Sequence, residues 1–253
     1  IEEETIAGCV AWDDTAWIFE NWLAQQNVVF LSGNNGRESR ALDFDLLSTS
    51  AFDTTNFMQR LATNGYLIMG SDVISAFTNG DIPILFADNT LGLTLDTDYT
   101  AGILPGNVDL GWSGARLDTE NLWLTSAVGD DIAAAGLAFA LFLTQPENAV
   151  EWHQATGSLP LSYTAQDMLI NSNWAESHPV QIIALEALAD STGDYGTTAA
   201  VYGSYTEIQQ NLRLGLDSII FSDIEVMTGL ESIQEFVLQL LEDYNLSNAP
   251  DVD

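Results

Sequence analysis

Lysine is missing from the 253 residues, and the only strong bases are five arginines, Arg37, Arg40, Arg60, Arg116 and Arg213. Against them stand 37 Asp and Glu, for a formal net charge of −32. Duplex nucleic acid and anionic lipid both need clustered cations to displace their counterions. Nucleic-acid binding and polybasic lipid binding are therefore excluded, as is any phosphate loop that ends in Gly-Lys. Cys9 is the single cysteine, so no internal disulfide can form. It falls within Thr5-Ile6-Ala7-Gly8-Cys9-Val10-Ala11. That stretch reads as a buried strand from Thr5 to Trp12 and predicts a packed thiol, with no neighbouring base to activate it.

Long apolar runs are also missing. The longest, Ile132 to Leu143, falls short of the ~20 residues that cross a bilayer. Ile1-Glu2-Glu3-Glu4 has no basic leader region, and the opening reads as the middle of a longer polypeptide. The two histidines, His153 and His178, show no metal-ligand spacing, and no Cys-x-x-Cys exists. Asp96-Thr97-Asp98 and the stretch Asp190 to Asp194 do not fit the twelve-residue calcium loop. A Gly-x-Ser-x-Gly nucleophile elbow is absent too. No metal, cofactor or catalytic residue is expected.

What is present describes a folding chain: 47% hydrophobic and 10% aromatic residues rule out a disordered acidic tail. Charged residues make up only 17%, below the usual ~25%, so the net charge comes from missing bases. Such a surface suits a high-salt or acidic exterior. The pairs Asp13/Asp14, Asp43/Asp45, Asp96/Asp98 and Asp130/Asp131 read as caps and surface in so acidic a chain. Helices are predicted over Ala16 to Gln26, Ser50 to Asn64, Asp72 to Thr78, Asp130 to Leu143, Pro146 to Thr156, Val180 to Ala189, Tyr205 to Leu214 and Leu230 to Tyr244. Strands are predicted over Thr5 to Trp12, Val28 to Leu31, Ile82 to Ala87, Ala101 to Leu104 and Leu122 to Ser126. The alternation argues an α/β fold with parallel pairing. Trp12, Trp17, Trp22 and Trp112 are candidate platforms for sugar or polyol faces, with core packing the alternative for each.

The run Gln145-Pro146-Glu147-Asn148-Ala149-Val150-Glu151-Trp152-His153-Gln154-Ala155-Thr156-Gly157-Ser158-Leu159-Pro160 carries a specific likeness. With the helix before it, this run resembles the helix–Pro–helix–TGYLP region of the family 1 extracellular solute-binding proteins of ABC importers. The likeness is strongest to the members that bind glycerol-3-phosphate. Ala16-Trp17-Ile18 through Asn21, Asn34-Asn35-Gly36, Phe77-Thr78-Asn79-Gly80-Asp81, Leu212-Arg213-Leu214-Gly215 and Met227-Thr228-Gly229 are similar to further family segments, in the same order. The resemblance runs from about residue 6 to 244.

It implies the two-lobed α/β fold of the periplasmic-binding-protein type II kind, with most of the first lobe missing. Residues 1–78 and 143–253 would form the second, C-terminal lobe, and 79–142 a return segment belonging to the first. The chain would then be a fragment or a split product. The implied activity is capture of a sugar, polyol or glycerol-phosphate-like solute between lobes and delivery to the membrane permease, without catalysis. A monomer is implied, periplasmic or extracellular, with room for a lipoprotein anchor in the missing part.

Trp17, Glu120, Asn121 and Ser158 are the implied cleft residues. Ser158 replaces the family's ligand-contacting tyrosine, and Asp118-Thr119-Glu120-Asn121-Leu122-Trp123 replaces its Gly-Gly-Ala-Ser-Leu-Trp segment. The arginine that holds phosphate in the family falls on Phe221. Without that fork the charge-assisted bonds to a phosphate, ~1.5–3 kcal/mol each, are lost, which favours a neutral sugar or polyol. A secreted glycoside hydrolase using two carboxylates and a fragment that binds nothing are the alternatives.

Overall fold

The computed structural model describes residues 8–70, 72–107, 109–117 and 122–249. The chain divides into two compact units, one of Ile1–Ala87, Leu104–Leu117 and Asp190–Asp253, the other of Asp88–Ile103 and Asp118–Ala189.

The first unit is built on a three-stranded parallel sheet. Val10–Trp12 (β1) lies between Leu67–Ile68 (β2) and Ile84–Phe86 (β3), with Val10 opposite Leu67 and Ile84 and Trp12 opposite Phe86. All three β1 residues are buried, as expected for a parallel strand covered on both faces. Asp14 ends the strand's exit and caps α1 (Thr15–Gln25), its Oδ1 accepting from the Trp17 amide at 3.0 Å. Ser48 caps α3 (Thr49–Thr63) through its hydroxyl. α4 (Val73–Thr78) leads to β3.

α10 (Tyr205–Ile220) buries Ile208, Leu212, Leu216 and Ile219, one stripe at helical spacing. α11 (Val226–Ser247) buries Val226, Leu230, Ile233, Val237 and Leu241 in the same way, and Glu225 caps it from the Met227 and Thr228 amides. These stripes meet Trp12, Phe19, Leu23, Phe44 and Met58 in one core. Each fully buried side chain of this size contributes roughly 1.5–3 kcal/mol of burial.

Several expectations fail here. Cys9 is exposed: it lies one residue ahead of β1, its amide donating to the Tyr66 carbonyl at 2.8 Å. Val28 to Leu31 is no strand; Leu31 makes a single antiparallel bridge with Phe44. Ala101 to Leu104 and the stretch 122–126 pair with nothing as strands. After Leu31 the chain turns sharply through α2 (Ser32–Gly36), where Gly33, Asn34, Asn35 and Gly36 all have positive φ, between 52° and 71°. Asn35 locks that turn: Oδ1 accepts from the Phe30 and Leu31 amides at 3.0 Å, and Nδ2 donates to the Tyr195 carbonyl at 2.7 Å.

The second unit has no strand among its described residues. It holds a 3₁₀ turn (Asn89–Leu93) and five helices, α5 (Asp130–Leu143), α6 (Pro146–Thr156), α7 (Tyr163–Ile170), α8 (Asn173–Glu176) and α9 (Pro179–Ala189). Pro146 opens α6 and left-handed Gly157 (φ +79°) closes it. Asn89 and Gln181 exchange two hydrogen bonds, at 2.8 and 2.6 Å, tying the 3₁₀ turn to α9. Short connections pack α5 to α9 in sequence. Residues 122–189 therefore fold within one unit.

Gly36 and Gly65 separate two costs of a left-handed residue. A Cβ on Gly36 would sit 1.8 Å from the Val201 carbonyl oxygen, whereas one on Gly65 meets nothing within 4 Å. Gly65→Ala is expected to cost only the conformational term, about 1–2 kcal/mol. Gly36→Ala is expected to exceed it clearly, and urea unfolding of the two variants checks the order.

Candidate functional site

α1 is a core helix with a polar face. Glu20, Asn21 and Gln25 are buried, at 4%, 3% and 2% exposure, and Trp17 shares their side of the helix at i, i+3, i+4 spacing. Buried polar groups are usually paired, and the segment Leu104–Leu117 supplies most of the partners here, though Gln25 Oε1 has none among the described residues. Trp22 Nε1 donates to the Pro105 carbonyl at 2.8 Å, and Gln25 Nε2 to that of Leu104 at 2.8 Å. The Ser113 amide donates to the Gln25 carbonyl at 2.9 Å, and the Arg116 amide to Asn21 Oδ1 at 3.1 Å. The approach is close enough to need glycine: a Cβ on Gly106 would lie 2.3 Å from Gln25 Oε1, and one on Gly114 would lie 1.9 Å from Ser191 Oγ.

At the end of this segment the Arg116 guanidinium forms an ion pair with Glu20. Gln209 of α10 donates through Nε2 to Glu20 Oε1 at 2.5 Å and to Tyr202 Oη at 2.6 Å. Arg116 also reaches Tyr205 Oη at 3.4 Å. Burial first, and then the Glu20 charge, push the Tyr202 phenol far above its ordinary range, so it stays a neutral hydroxyl. The array is thus a net-neutral set of donors and acceptors around one arginine, and it includes the rings of Tyr202 and Tyr205. Chemically this matches hydroxyl-rich, uncharged molecules.

The residues expected from the sequence are distributed as follows. Trp17 is half-buried against the core on α1. Phe221 ends α10 in the same unit, exposed, its amide donating to the Asp217 carbonyl. Ser158 lies in the second unit, half-buried after Gly157, with its amide donating to Thr156 Oγ1 at 3.2 Å. Glu120 and Asn121 lie outside the described residues. Trp12 and Trp22 are not solute platforms: Trp12 is wholly buried, stacked on Phe86 with its indole N–H donating to Thr15, and Trp22 packs edge-on to Trp12. Trp112 is half-buried, with no partner for Nε1 among the described residues. Sequence reasoning missed Glu20, Tyr202, Tyr205 and Gln209 as site residues. The available signal was Arg116, a rare cation in so acidic a chain.

The second unit has a separate ring cluster. His153 is wholly buried, its Nδ1 3.2 Å from the Ser158 carbonyl, which sets the proton on Nδ1. Its ring meets Trp174 edge-on at 5.4 Å, and Trp174 stacks on His178 at 4.0 Å. Burial, reinforced by the His178 charge and opposed by the Ser158 bond, lowers the His153 pKa below 6.5.

Two outcomes follow from these geometries. Glu20→Gln or Arg116→Met alone leaves the opposite charge buried with fewer partners and is expected to cost about 3–5 kcal/mol. The double variant should recover much of that, which a double-mutant cycle in urea measures. For His153, the folded state binds its proton less tightly than the unfolded chain does. Its contribution is therefore full above pH 6.5 and is lost as pH falls through the lowered value. NMR titration of the imidazole should show the depressed midpoint, and His153→Gln should flatten the stability profile over that acidic window.

Comparison with known proteins places the chain. The profile of the bacterial extracellular solute-binding proteins matches residues 1–180. The sn-glycerol-3-phosphate-binding periplasmic protein UgpB of Escherichia coli is 23% identical over 241 residues, covering 91% of this chain and 55% of that protein. The same protein of Salmonella typhimurium is 22% identical over 213 residues, covering 80% of this chain and 49% of the relative. Among solved structures, UgpB from Mycobacterium tuberculosis in complex with glycerophosphocholine matches with a TM-score of 0.63 at 19% identity, over 95% of this chain and 60% of that one. The sugar-binding protein MalE from Xanthomonas citri matches with a TM-score of 0.73 at 14% identity, over 98% of this chain and 62% of that one. The chain spans about half the length of the curated relatives it matches, and over that span it has their α/β fold in part. It belongs to the bacterial extracellular solute-binding protein family.

Proposed function

We propose that the protein is the solute receptor of an ABC importer, takes a neutral sugar or polyol, and hands it unaltered to the permease outside the cytoplasmic membrane. The observation that carries the solute preference is the pairing of Arg116 with Glu20. A phosphate needs a fork of cationic donors, and here the arginine of the polar array already faces a carboxylate. Arg37 and Arg40 in the same unit donate to backbone carbonyls, of Ala199 and of Asn245 and Asn248. The remaining charge is strongly negative and repels an anion. Phe221, at the position of the family's phosphate-holding arginine, is an uncharged ring.

Trp17 offers its indole face to the solute in this reading, and Glu120, Asn121 and Ser158 supply hydroxyl partners. The relatives described as periplasmic support a location outside the cytoplasm. Among the described residues no helix is long and apolar enough to cross a membrane.

Calorimetric titration of the native-length protein with maltose, maltotriose, glycerol and glycerol-3-phosphate tests the reading. A neutral ligand is expected to bind at least about tenfold tighter than glycerol-3-phosphate, ~1.4 kcal/mol. Trp17→Ala should weaken that binding by about 1 kcal/mol without unfolding the protein. Tighter binding of glycerol-3-phosphate, a flat titration throughout, or turnover of a glycoside would each overturn the assignment.

A further inference from the structure

The loop that follows α6 in the second unit is tied down by side chains. Three of its carbonyls accept from three different elements: Gly157 from Asn89 Nδ2 at 2.8 Å, Ser158 from His153 Nδ1 at 3.2 Å, and Pro160 from Gln166 Nε2 at 2.8 Å. Asn89 is fixed in turn by Gln181, which is wholly buried. Carboxamides do not titrate, so the ties to Gly157 and Pro160 are indifferent to pH. His153 is the exception, and it is the tie that holds Ser158.

The imidazole of His153 is enclosed, and its Nε2 has no hydrogen-bond partner among the described residues. Its ring meets Trp174 edge-on, and His178 lies flat on Trp174, 12° from parallel, with Nδ1 2.9 Å from the Trp174 carbonyl. One indole thus links a buried imidazole to a half-buried one. No acid stands by to balance a charge on His153. The acids of α5 to α8 are Asp130, Asp131, Glu147, Glu151, Asp167 and Glu176; all are exposed, and among the described residues none pairs with the ring. The neighbouring charge that acts on His153 is that of His178, and it is repulsive.

We propose that His153, Trp174 and His178 form an acid-operated clasp on the loop Gly157–Pro160, with His153 as the positioning residue of Ser158. While His153 is neutral, Ser158 is tied to α6. When it takes a proton, the buried Nε2–H finds no acceptor and His178 repels it across the indole, so the ring moves to water. The bond to Ser158 and the contact with Trp174 then break together. The open loop binds this proton at the ordinary value of 6.5 and the closed loop binds it more weakly. Opening is therefore favoured as pH falls below 6.5 and levels off at the lowered value. This is a local opening within the folded protein, and it holds whether or not a solute meets Ser158.

Hydrogen exchange of the unliganded native-length protein, corrected for the intrinsic pH dependence of each amide, reads the opening. Protection of the Ser158, Leu159 and Leu161 amides is expected to fall about tenfold per pH unit below 6.5, while Leu212 and Leu216 in the buried stripe of α10 keep theirs. His153→Gln retains a donor for Ser158 without the titrating nitrogen, and should flatten the loop's profile. His178→Gln removes the repulsion and should shrink the pH dependence without abolishing it, which a merely structural role for His178 would not do. Loop protection independent of pH in the native protein overturns the proposal, as does an acid-dependent profile that persists in His153→Gln. Equal loss of protection in α10 overturns it in favour of global unfolding. Where His153→Gln fails to fold, His178→Gln decides: a profile identical to that of the native protein overturns the clasp.

Discussion

The first unit depends on one demand, that the buried polar face of α1 be satisfied. Glu20, Asn21 and Gln25 cannot reach water, and an unmet buried polar group costs ~1–3 kcal/mol, more for a charge. The segment Leu104–Leu117 meets most of that demand with backbone groups and one arginine, leaving Gln25 Oε1 without a hydrogen-bond partner among the described residues, and has no regular structure of its own. Its path is dictated by the helix. Gly106 follows from the same demand, since there the segment comes closer to Gln25 than a Cβ permits, whereas Gly114 makes room for Ser191. Arg116 is therefore held in position by Asn21 as well as paired by Glu20, and Gln209 and Tyr202 of the neighbouring region are ordered around that pair.

How much of this could be read in advance follows from the distance between cause and effect along the chain. α5 and α6 were legible to the residue because their ends are punctuated locally, by Asp130-Asp131, Pro146 and Gly157. α7 and α8 were not, because the stretch from Tyr163 to Glu176 mixes polar and apolar residues and is interrupted at Asn171-Ser172. The parallel sheet was legible as alternation, but β1 is only three residues long and leaves Cys9 outside it. Trp12 and Trp22 illustrate the opposite error. Flanking turns made them look like surface rings, whereas their indole N–H groups are satisfied inside the unit and their faces are spent on each other and on Phe86. The Glu20–Arg116 pair spans 96 positions, and no local pattern in a single sequence announces such a partner.

The acidity of the chain acquires a structural meaning from the same pair. Among the described residues Glu20 is the one buried acid, and it faces an arginine. Other carboxylates serve at helix starts, as with Asp14 and Glu225, where the helix dipole and free amides hold a negative charge. The core itself is conventional, and the unusual composition is a property of the surface. A protein of this kind gains from high ionic strength, because screening relieves repulsion between acids while leaving the buried pair nearly untouched.

The turn at α2 has a further consequence, for how the molecule ages. Asn35-Gly36, Asn64-Gly65 and Asn79-Gly80 are the sequence type most open to succinimide formation, in which the glycine nitrogen attacks the asparagine carboxamide carbon, ammonia leaves, and water then opens the ring to a carboxylate. Asn64, held only by its Nδ2 donating to the Arg60 carbonyl of its own helix, and Asn79 sit exposed at the ends of α3 and α4, where slow reaction would add still more negative charge. Asn35 is pinned through both ends of its carboxamide by Phe30, Leu31 and Tyr195. Deamidation would therefore weather the helix ends first and spare the bend on which the chain reverses.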